Sequence, residues 1–123
     1  MKIVCAVIAG VAIFFTGCAN RVGPSPSDLR STIPIFETNS VRSSKYVVGC
    51  ISDKWENAHY PSLKIRPTEK GYSVSLDGMT GMWQSGSLFL LDIDDASNGS
   101  NIRLYDSDWG QTMLKTLINH CKK

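Results

Sequence analysis

Few residues of this sequence are of the types that perform catalysis or hold metals. The two histidines, His59 and His120, lie too far apart in sequence to form a local metal-binding motif. No Gly-x-Ser-x-Gly motif marks a nucleophilic serine, and no glycine-rich loop precedes a helix to hold phosphate. The residue types of a hydrolase occur together only around Glu56 and His59, beside Trp55 and Tyr60. A small hydrolase using Glu56 and His59 is therefore the enzymatic alternative, and the sequence favours a protein without catalytic residues.

One acidic stretch partly matches a calcium-binding loop. Asp92, Asp94 and Asp95 are followed by Asn98 and Gly99. The spacing departs from the D-x-[DN]-x-[DN]-G pattern, and the Glu that closes such a loop is missing. Residues of these types are also typical of solvated turns. We therefore expect a turn here and no metal site.

The N-terminus has the pattern of a secretory signal peptide. Lys2 is followed by an apolar run over residues 3–15, and polar residues come directly after it. The break falls at Phe15-Thr16-Gly17-Cys18, which resembles the lipobox of bacterial lipoproteins. That resemblance implies removal of residues 1–17, attachment of diacylglycerol to the sulfur of Cys18, and acylation of its new amino group. The mature protein would then be anchored to a membrane by lipid.

Two other fates of this N-terminus stay open. Gly17-Cys18-Ala19 also matches a small-x-small site, and ordinary cleavage after Ala19 would release a soluble secreted protein. A retained transmembrane helix from Ile3 to about Ala19 would be shorter than the ~20 apolar residues that a bilayer core requires. For a lipoprotein, Ala19 in place of Asp after the cysteine favours the outer membrane, with the domain facing the periplasm or the exterior.

The lipobox resemblance also bears on how the four cysteines are used. Cys5 leaves with the signal peptide and Cys18 carries the lipid, so Cys50 and Cys121 remain in an oxidising compartment, where such pairs usually form disulfides. We therefore expect a Cys50–Cys121 disulfide, with two buried free thiols as the alternative. A zinc site built from these cysteines and His120 would lack a fourth ligand.

Length and charge indicate one small domain and leave its partner open. Residues 18–123 suffice for a single domain. Loss of Lys2 with the signal peptide lowers the formal net charge from +2 to +1, so the chain lacks the basic character of a nucleic-acid-binding protein. Residues 18–40 are rich in Pro, Ser, Thr and Asn and predict a flexible tether ahead of a domain at 41–123. Only the apolar run 33–36 is expected to dock on the domain, as an edge segment.

Two helices are predicted to flank the folded part. Residues 41–57 place their apolar side chains on one helical face, and either Ser40 or Ser43 can cap the first turn. The second helix runs to the C-terminus with one apolar stripe, and Asp108 with Gln111 matches a capping box at its start.

Between the helices, apolar and polar residues alternate with a period of two. Four strands are predicted, at residues 63–66, 72–77, 87–93 and 101–105. Asn98-Gly99 is a strong hairpin signal between the last two. We expect an α+β domain in which a four-stranded antiparallel sheet is flanked on one face by the N-terminal and C-terminal helices.

The strand at 87–93 is apolar on both of its faces. Strict alternation would turn Leu88 and Leu90 away from the helices, where polar residues are usual. Either the segment 33–36 covers this side, or it is an exposed apolar patch of the kind that binds a partner. In the second case the partner-binding residues are Leu88, Leu90, Tyr105 and the loop residue Trp83.

Together these features predict a non-enzymatic lipoprotein of a bacterial envelope that binds another protein, as an inhibitor, an immunity protein or an accessory subunit. Its expected partners are the membrane, through the lipid on Cys18, and an envelope protein or an incoming protein. Nucleic acid is not expected, and no cofactor is expected beyond the covalent lipid. A passive structural subunit of the envelope is the non-enzymatic alternative.

Overall fold

The structure, a computed structural model, describes residues 24–81, 84–106 and 110–123. In these ranges the chain is α+β, as the sequence predicts. The elements in chain order are α1 Pro26–Arg30, β1 Phe36–Ser40, α2 Ser44–Asn57, β2 Lys64–Pro67, β3 Gly71–Gly81, β4 Gln84–Ala96, β5 Gly99–Asp106 and α3 Gln111–Cys121.

The described strands form one antiparallel sheet of five strands in the order β1-β5-β4-β3-β2. The prediction of four strands is corrected by β1, which pairs with β5 from Phe36 opposite Leu104 to Ser40 opposite Ser100. The sequence of β1 is FETNS, so no alternation of apolar residues marks it. It becomes a strand because the edge of β5 offers backbone donors and acceptors that need partners.

Residues 24–40 are folded, which corrects both the predicted tether and the domain boundary at residue 41. The Ser25 hydroxyl accepts a hydrogen bond from the Asp28 N–H at 3.3 Å, and the Asp28 carboxylate accepts one from the Ser25 N–H at 2.9 Å. This capping box starts α1, with Pro26 in its first turn. A helix of five residues has no period that a sequence pattern could show. As expected, Ile35 docks at the sheet edge, where its N–H donates to the Leu104 carbonyl at 2.9 Å.

The main hydrophobic core lies between the sheet and a layer formed by α2 and α3, as predicted. Its buried side chains come from both helices and from the three central strands: Val47, Val48, Ile51, Trp55, Val74, Leu76, Phe89, Leu91, Ile93, Ile102, Leu104, Leu114, Ile118 and Cys121. Burial of each large aliphatic side chain contributes roughly 1.5–3 kcal/mol to folding. This core holds the two helices side by side on one face of the sheet.

The two long helices begin later than predicted. α2 starts at Ser44 because Ser43, one of the two expected caps, accepts a hydrogen bond from the Tyr46 N–H at 3.3 Å. α3 starts at Gln111 after Gly110, which has φ of 64° and makes no side-chain cap. The predicted capping box requires Gln111 to be the third residue after the cap. Gln111 is instead the first residue of α3, so that prediction is wrong. Asp108 lies outside the described residues.

A disulfide joins α2 to α3. The Cys50 and Cys121 sulfurs are bonded, with their Cα atoms 5.6 Å apart and a sequence separation of 71. The expected pairing is thus present in the structure. Closing so long a loop restricts the unfolded chain and so stabilises the fold.

Candidate functional site

The sheet face opposite α2 and α3 is partly covered by α1. Leu29 of α1 packs on Leu90 and Tyr105, which are 0% and 4% exposed. The hypothesis of an exposed patch at Leu90 and Tyr105 is therefore wrong. The covering residue comes from α1 and not from the segment 33–36, which was the predicted cover.

Leu88 does not share this face with Leu90. The pairing of β3 with β4 shifts register between Leu76 and Asp77, which makes Leu88 an extra residue in β4. Leu88 is half-buried against the main core. It also contacts Gly78 so closely that a Cβ there would lie 2.8 Å from the Leu88 Cδ1. Strict alternation fails across such a bulge, which is why the predicted orientation of Leu88 is wrong; Trp83 lies outside the described residues.

Beside Leu29, α1 also carries a charged contact to the sheet. The Arg30 Nε and Nη2 donate to the two Asp92 carboxylate oxygens at 2.9 and 3.0 Å, and Nη2 also donates to the Ser73 hydroxyl at 2.9 Å. The hydrogen bonds to Asp92 raise the pKa of the Arg30 guanidinium. A bidentate pair of this kind fixes the position of α1 on the sheet.

The other acidic residues of the partial calcium pattern also bind groups of this protein. Asp94 pairs with the Arg103 Nη2 at 2.7 Å, and the Asp95 carboxylate accepts a hydrogen bond from the Ser44 N–H at 2.9 Å. The expectation of a solvated turn is wrong for Asp92, which is 5% exposed. Over residues 24–81, 84–106 and 110–123, no three His, Cys, Asp or Glu side chains are grouped to hold a metal ion.

A cleft of about 440 Å³ lies between α2 and α3, on the helical side of the molecule; we call it the interhelical cleft. Its lining residues come from the two helices and the turn after α2: Lys54, Trp55, Ala58, Tyr60, Met113, Thr116, Leu117 and His120. Trp55 is buried, Met113 and Leu117 are half-buried, and the basic residues Lys54 and His120 are exposed. The cleft therefore combines apolar walls with a basic edge.

Two aromatic residues form one wall of this cleft. The Trp55 ring packs between Tyr60, at a centroid distance of 4.8 Å, and Phe89 of the core, at 5.7 Å. The Trp55 Nε1–H donates to the Pro61 carbonyl at 2.6 Å, so the indole keeps its polar group satisfied while it is buried. Tyr60 remains 42% exposed. An aromatic side chain held in place but left open to solvent is typical of binding surfaces.

The turn that presents Tyr60 contains a backbone conformation unusual for its residue. His59 has φ of 60°, and it is the one non-glycine residue with positive φ among the described residues. Its N–H donates to the Glu56 carbonyl at 3.0 Å and so ends α2. A side chain in this left-handed region costs roughly 1–2 kcal/mol. The backbone is therefore strained at His59, the residue that precedes Tyr60 of the cleft.

The two residues of the hydrolase alternative lie near the C-terminal end of α2. Glu56 and His59 are both exposed at the end of α2. Of the two histidines, only His120 lines the interhelical cleft. In the part of the chain that the structure describes, the imidazoles of His59 and His120 form no hydrogen bond with a carboxylate.

Met113 and Leu117 belong to the apolar stripe that the sequence predicts for the second helix, and that pattern does not indicate a cleft. The signal lay in Trp55, Tyr60 and His120, whose types are common at binding sites. The predicted disulfide and helix packing place α2 beside α3, but the sequence does not show that a cleft stays open between them. No helix among the described residues is long and apolar enough to cross a membrane. No protein-family model, curated protein or solved structure matches this chain.

Proposed function

We propose that the protein is a non-enzymatic, lipid-anchored module of a bacterial envelope that binds another protein through the interhelical cleft. The lipobox at Cys18 supports the anchor. The interhelical cleft supports the binding role, because it is the place where an aromatic wall, apolar sides and charged edge residues meet. Inhibitors, immunity proteins and accessory subunits of envelope assemblies all fall within this function.

The chemistry of the cleft defines the group that it would hold. Its volume of about 440 Å³ is at the small end of ligand pockets and suits one or two side chains of a partner. Trp55, Tyr60 and Leu117 would contact an apolar or aromatic side chain. Lys54 and His120 at the edge would favour a carboxylate next to it. The partner therefore presents an apolar anchor residue flanked by Asp or Glu.

The alternative depression on the outer side of α2 has less suitable chemistry. It is larger, at about 580 Å³, but it is lined mainly by charged and polar residues of a single helix, such as Lys45, Asp53 and Asn57. A site of that kind offers no apolar pocket for an anchor residue. We therefore assign the binding role to the interhelical cleft.

A pair of matched substitutions on α3 tests this assignment. Thr116 lines the cleft and is exposed, whereas Asn119 is exposed on the same helix outside the cleft. The partner is first identified by photo-cross-linking on native membranes, and its Kd is then measured with purified protein. We expect Thr116→Arg to raise the Kd about tenfold or more, which corresponds to ~1.4 kcal/mol, because it places a charged chain in the cleft. Asn119→Arg should leave the Kd unchanged, and equal Kd values for the two variants would contradict a role of the cleft.

A further inference from the structure

The described chain begins very close to the residue that is expected to carry the lipid. The Pro24 carbonyl accepts a hydrogen bond from the Ser87 N–H of β4 at 2.8 Å, so the chain is held on the sheet at this residue. Residues 19–23 separate Pro24 from Cys18. A polypeptide spans at most ~3.6 Å per residue, so Pro24 lies within ~22 Å of Cys18 whatever path those residues take.

The point of attachment lies on one particular side of the molecule. Pro24 enters α1, which packs on the sheet face opposite α2 and α3. Pro24 shares a groove of about 300 Å³ with Lys64 and Arg66 of the edge strand β2. A domain of this length has a diameter of roughly 30 Å, so an anchor within ~22 Å of Pro24 keeps the opposite side of the domain from reaching the bilayer.

We propose that the side of the sheet carrying α1, Pro24, Lys64 and Arg66 lies against the phospholipid headgroups, and that the interhelical cleft faces away from the membrane. This orientation rests on the lipid anchor at Cys18 that is part of the proposed function. It does not depend on what the cleft binds. It leaves the cleft open to a protein that approaches from the aqueous side.

The charges at the edge strand suit contact with anionic headgroups. All four residues of β2 are exposed, and among the described residues Arg66 forms no ion pair. Lys64 pairs with Asp77 at 2.5 Å, with both side chains about half exposed. A basic side chain near an anionic membrane surface is attracted to it. Arg66 is therefore the residue from which we expect the strongest headgroup contact.

Lysine footprinting on the lipidated protein tests the orientation. The native protein is purified from its membranes, its lipid is verified by intact mass, and it is reconstituted into vesicles of phosphatidylethanolamine and phosphatidylglycerol. A membrane-impermeant acetylating reagent is applied, and the reference is the chain from residue 18 with Cys18→Ser, which carries no lipid, mixed with the same vesicles. We expect several-fold slower acetylation of Lys64 in the lipidated protein, with Lys45 and Lys54 of α2 unchanged.

Failure of the orientation and failure of the anchor give different results. Lipidated protein in which Lys54 is slowed as much as Lys64, or in which neither is slowed, would overturn the orientation alone. Native protein without lipid would overturn the anchor and, with it, the orientation. The Kd comparison of Thr116→Arg with Asn119→Arg is read independently of both.

A charge reversal distinguishes headgroup contact from simple proximity. Arg66→Glu should reduce the protection of Lys64 on phosphatidylglycerol vesicles, because it places a like charge against anionic headgroups. Lys45→Glu makes the same change of charge on the helical side and should leave that protection intact. Full protection of Lys64 in Arg66→Glu would contradict contact with the headgroups.

Discussion

At the scale of single residues, His59 shows strain that a simple substitution can remove. Glycine adopts positive φ without the steric cost of a Cβ, but it loses more entropy on folding. We expect His59→Gly to raise the free energy of unfolding by ~0.5–1 kcal/mol. Thermal unfolding measures this gain. Ala58→Gly is the control, since Ala58 has φ of −82° and a glycine there should only destabilise; equal shifts for both variants would contradict strain at His59.

The same turn bears on binding, because it sets the position of Tyr60. If the strain at His59 serves to hold Tyr60 over the cleft, His59→Gly should gain stability while losing affinity for the partner. The Kd of the partner and the midpoint of thermal unfolding, measured on one preparation, would then both rise. A stabilised variant with unchanged Kd would show that the conformation of His59 is not used in binding.

Asp95 links β4 to the start of α2 and makes a prediction about pH. The hydrogen bond from the Ser44 N–H lowers the pKa of Asp95 below its ordinary value of 3.8. Because the folded pKa is the lower one, the stabilisation is present above the unfolded pKa and is lost as the pH falls through the folded pKa. Asp95→Asn retains an oxygen acceptor but does not titrate, so its stability should fall less steeply below pH ~4.

Urea unfolding between pH 2 and pH 7 measures how steeply the free energy of unfolding of each protein falls with pH. This range includes the ordinary Asp pKa of 3.8. Asp53→Asn removes the same charge from the exposed surface of α2 and serves as the control. The role given to the hydrogen bond from Ser44 would be contradicted if the free energy of unfolding of Asp95→Asn fell as steeply at acid pH as that of the unsubstituted protein.

At the scale of elements, α1 is held on the sheet by few contacts, of which Leu29 is the apolar one. Leu29→Ala should cost ~2–3 kcal/mol of stability and expose Leu90 and Tyr105, because truncation of a buried leucine removes its packing. Amide hydrogen exchange at Ser87, whose N–H donates to Pro24, should accelerate as α1 loosens. Ile33→Ala in the same segment is the control, since Ile33 is 88% exposed. Similar effects of the two truncations would show that α1 is not docked as described.

The disulfide makes a second prediction about elements. Replacing Cys50 and Cys121 together by serine should lower the midpoint of thermal unfolding by more than ~10 °C, because loss of a native disulfide in a small domain typically costs ~2–5 kcal/mol. The double replacement avoids a lone thiol. An unchanged midpoint would contradict the contribution assigned to the link between α2 and α3.

The elements that the sequence predicts are those with a strong periodic pattern. α2, α3 and the strands β2 to β5 each show a helical or alternating pattern that follows from one buried face. α1 and β1 show none, since α1 is a single capped turn with one buried leucine and β1 is a polar edge strand. The bulge at Leu88 likewise has no signal in the sequence, so alternation placed that side chain on the wrong face.

At the scale of the whole molecule, the two layers have different surfaces. The face under α1 is closed by Leu29 and by the pair of Arg30 with Asp92, whereas the helical side keeps the interhelical cleft open. The cleft could not be predicted from the sequence because Tyr60 and Leu117, which are far apart in sequence, line it together only through tertiary packing. The residue types of a binding site were visible, but their arrangement was not.

The lipid anchor, the disulfide and the orientation at the membrane also belong to the scale of the whole molecule. We propose that a lipid at Cys18, the contact of Pro24 with β4 and a helical layer on the far side of the sheet together direct the cleft away from the membrane. This arrangement depends first on the lipid. Without it, the same cleft would belong to a secreted protein, and the side of the sheet that carries α1 would have no membrane to face.

Intact mass of the protein purified from its own membranes tests this account most directly. We predict the mass of residues 18–123 plus acyl chains, increasing on reduction by the pair of hydrogens that opening the Cys50–Cys121 disulfide adds. A mass that begins at Asn20 and carries no lipid would contradict the account.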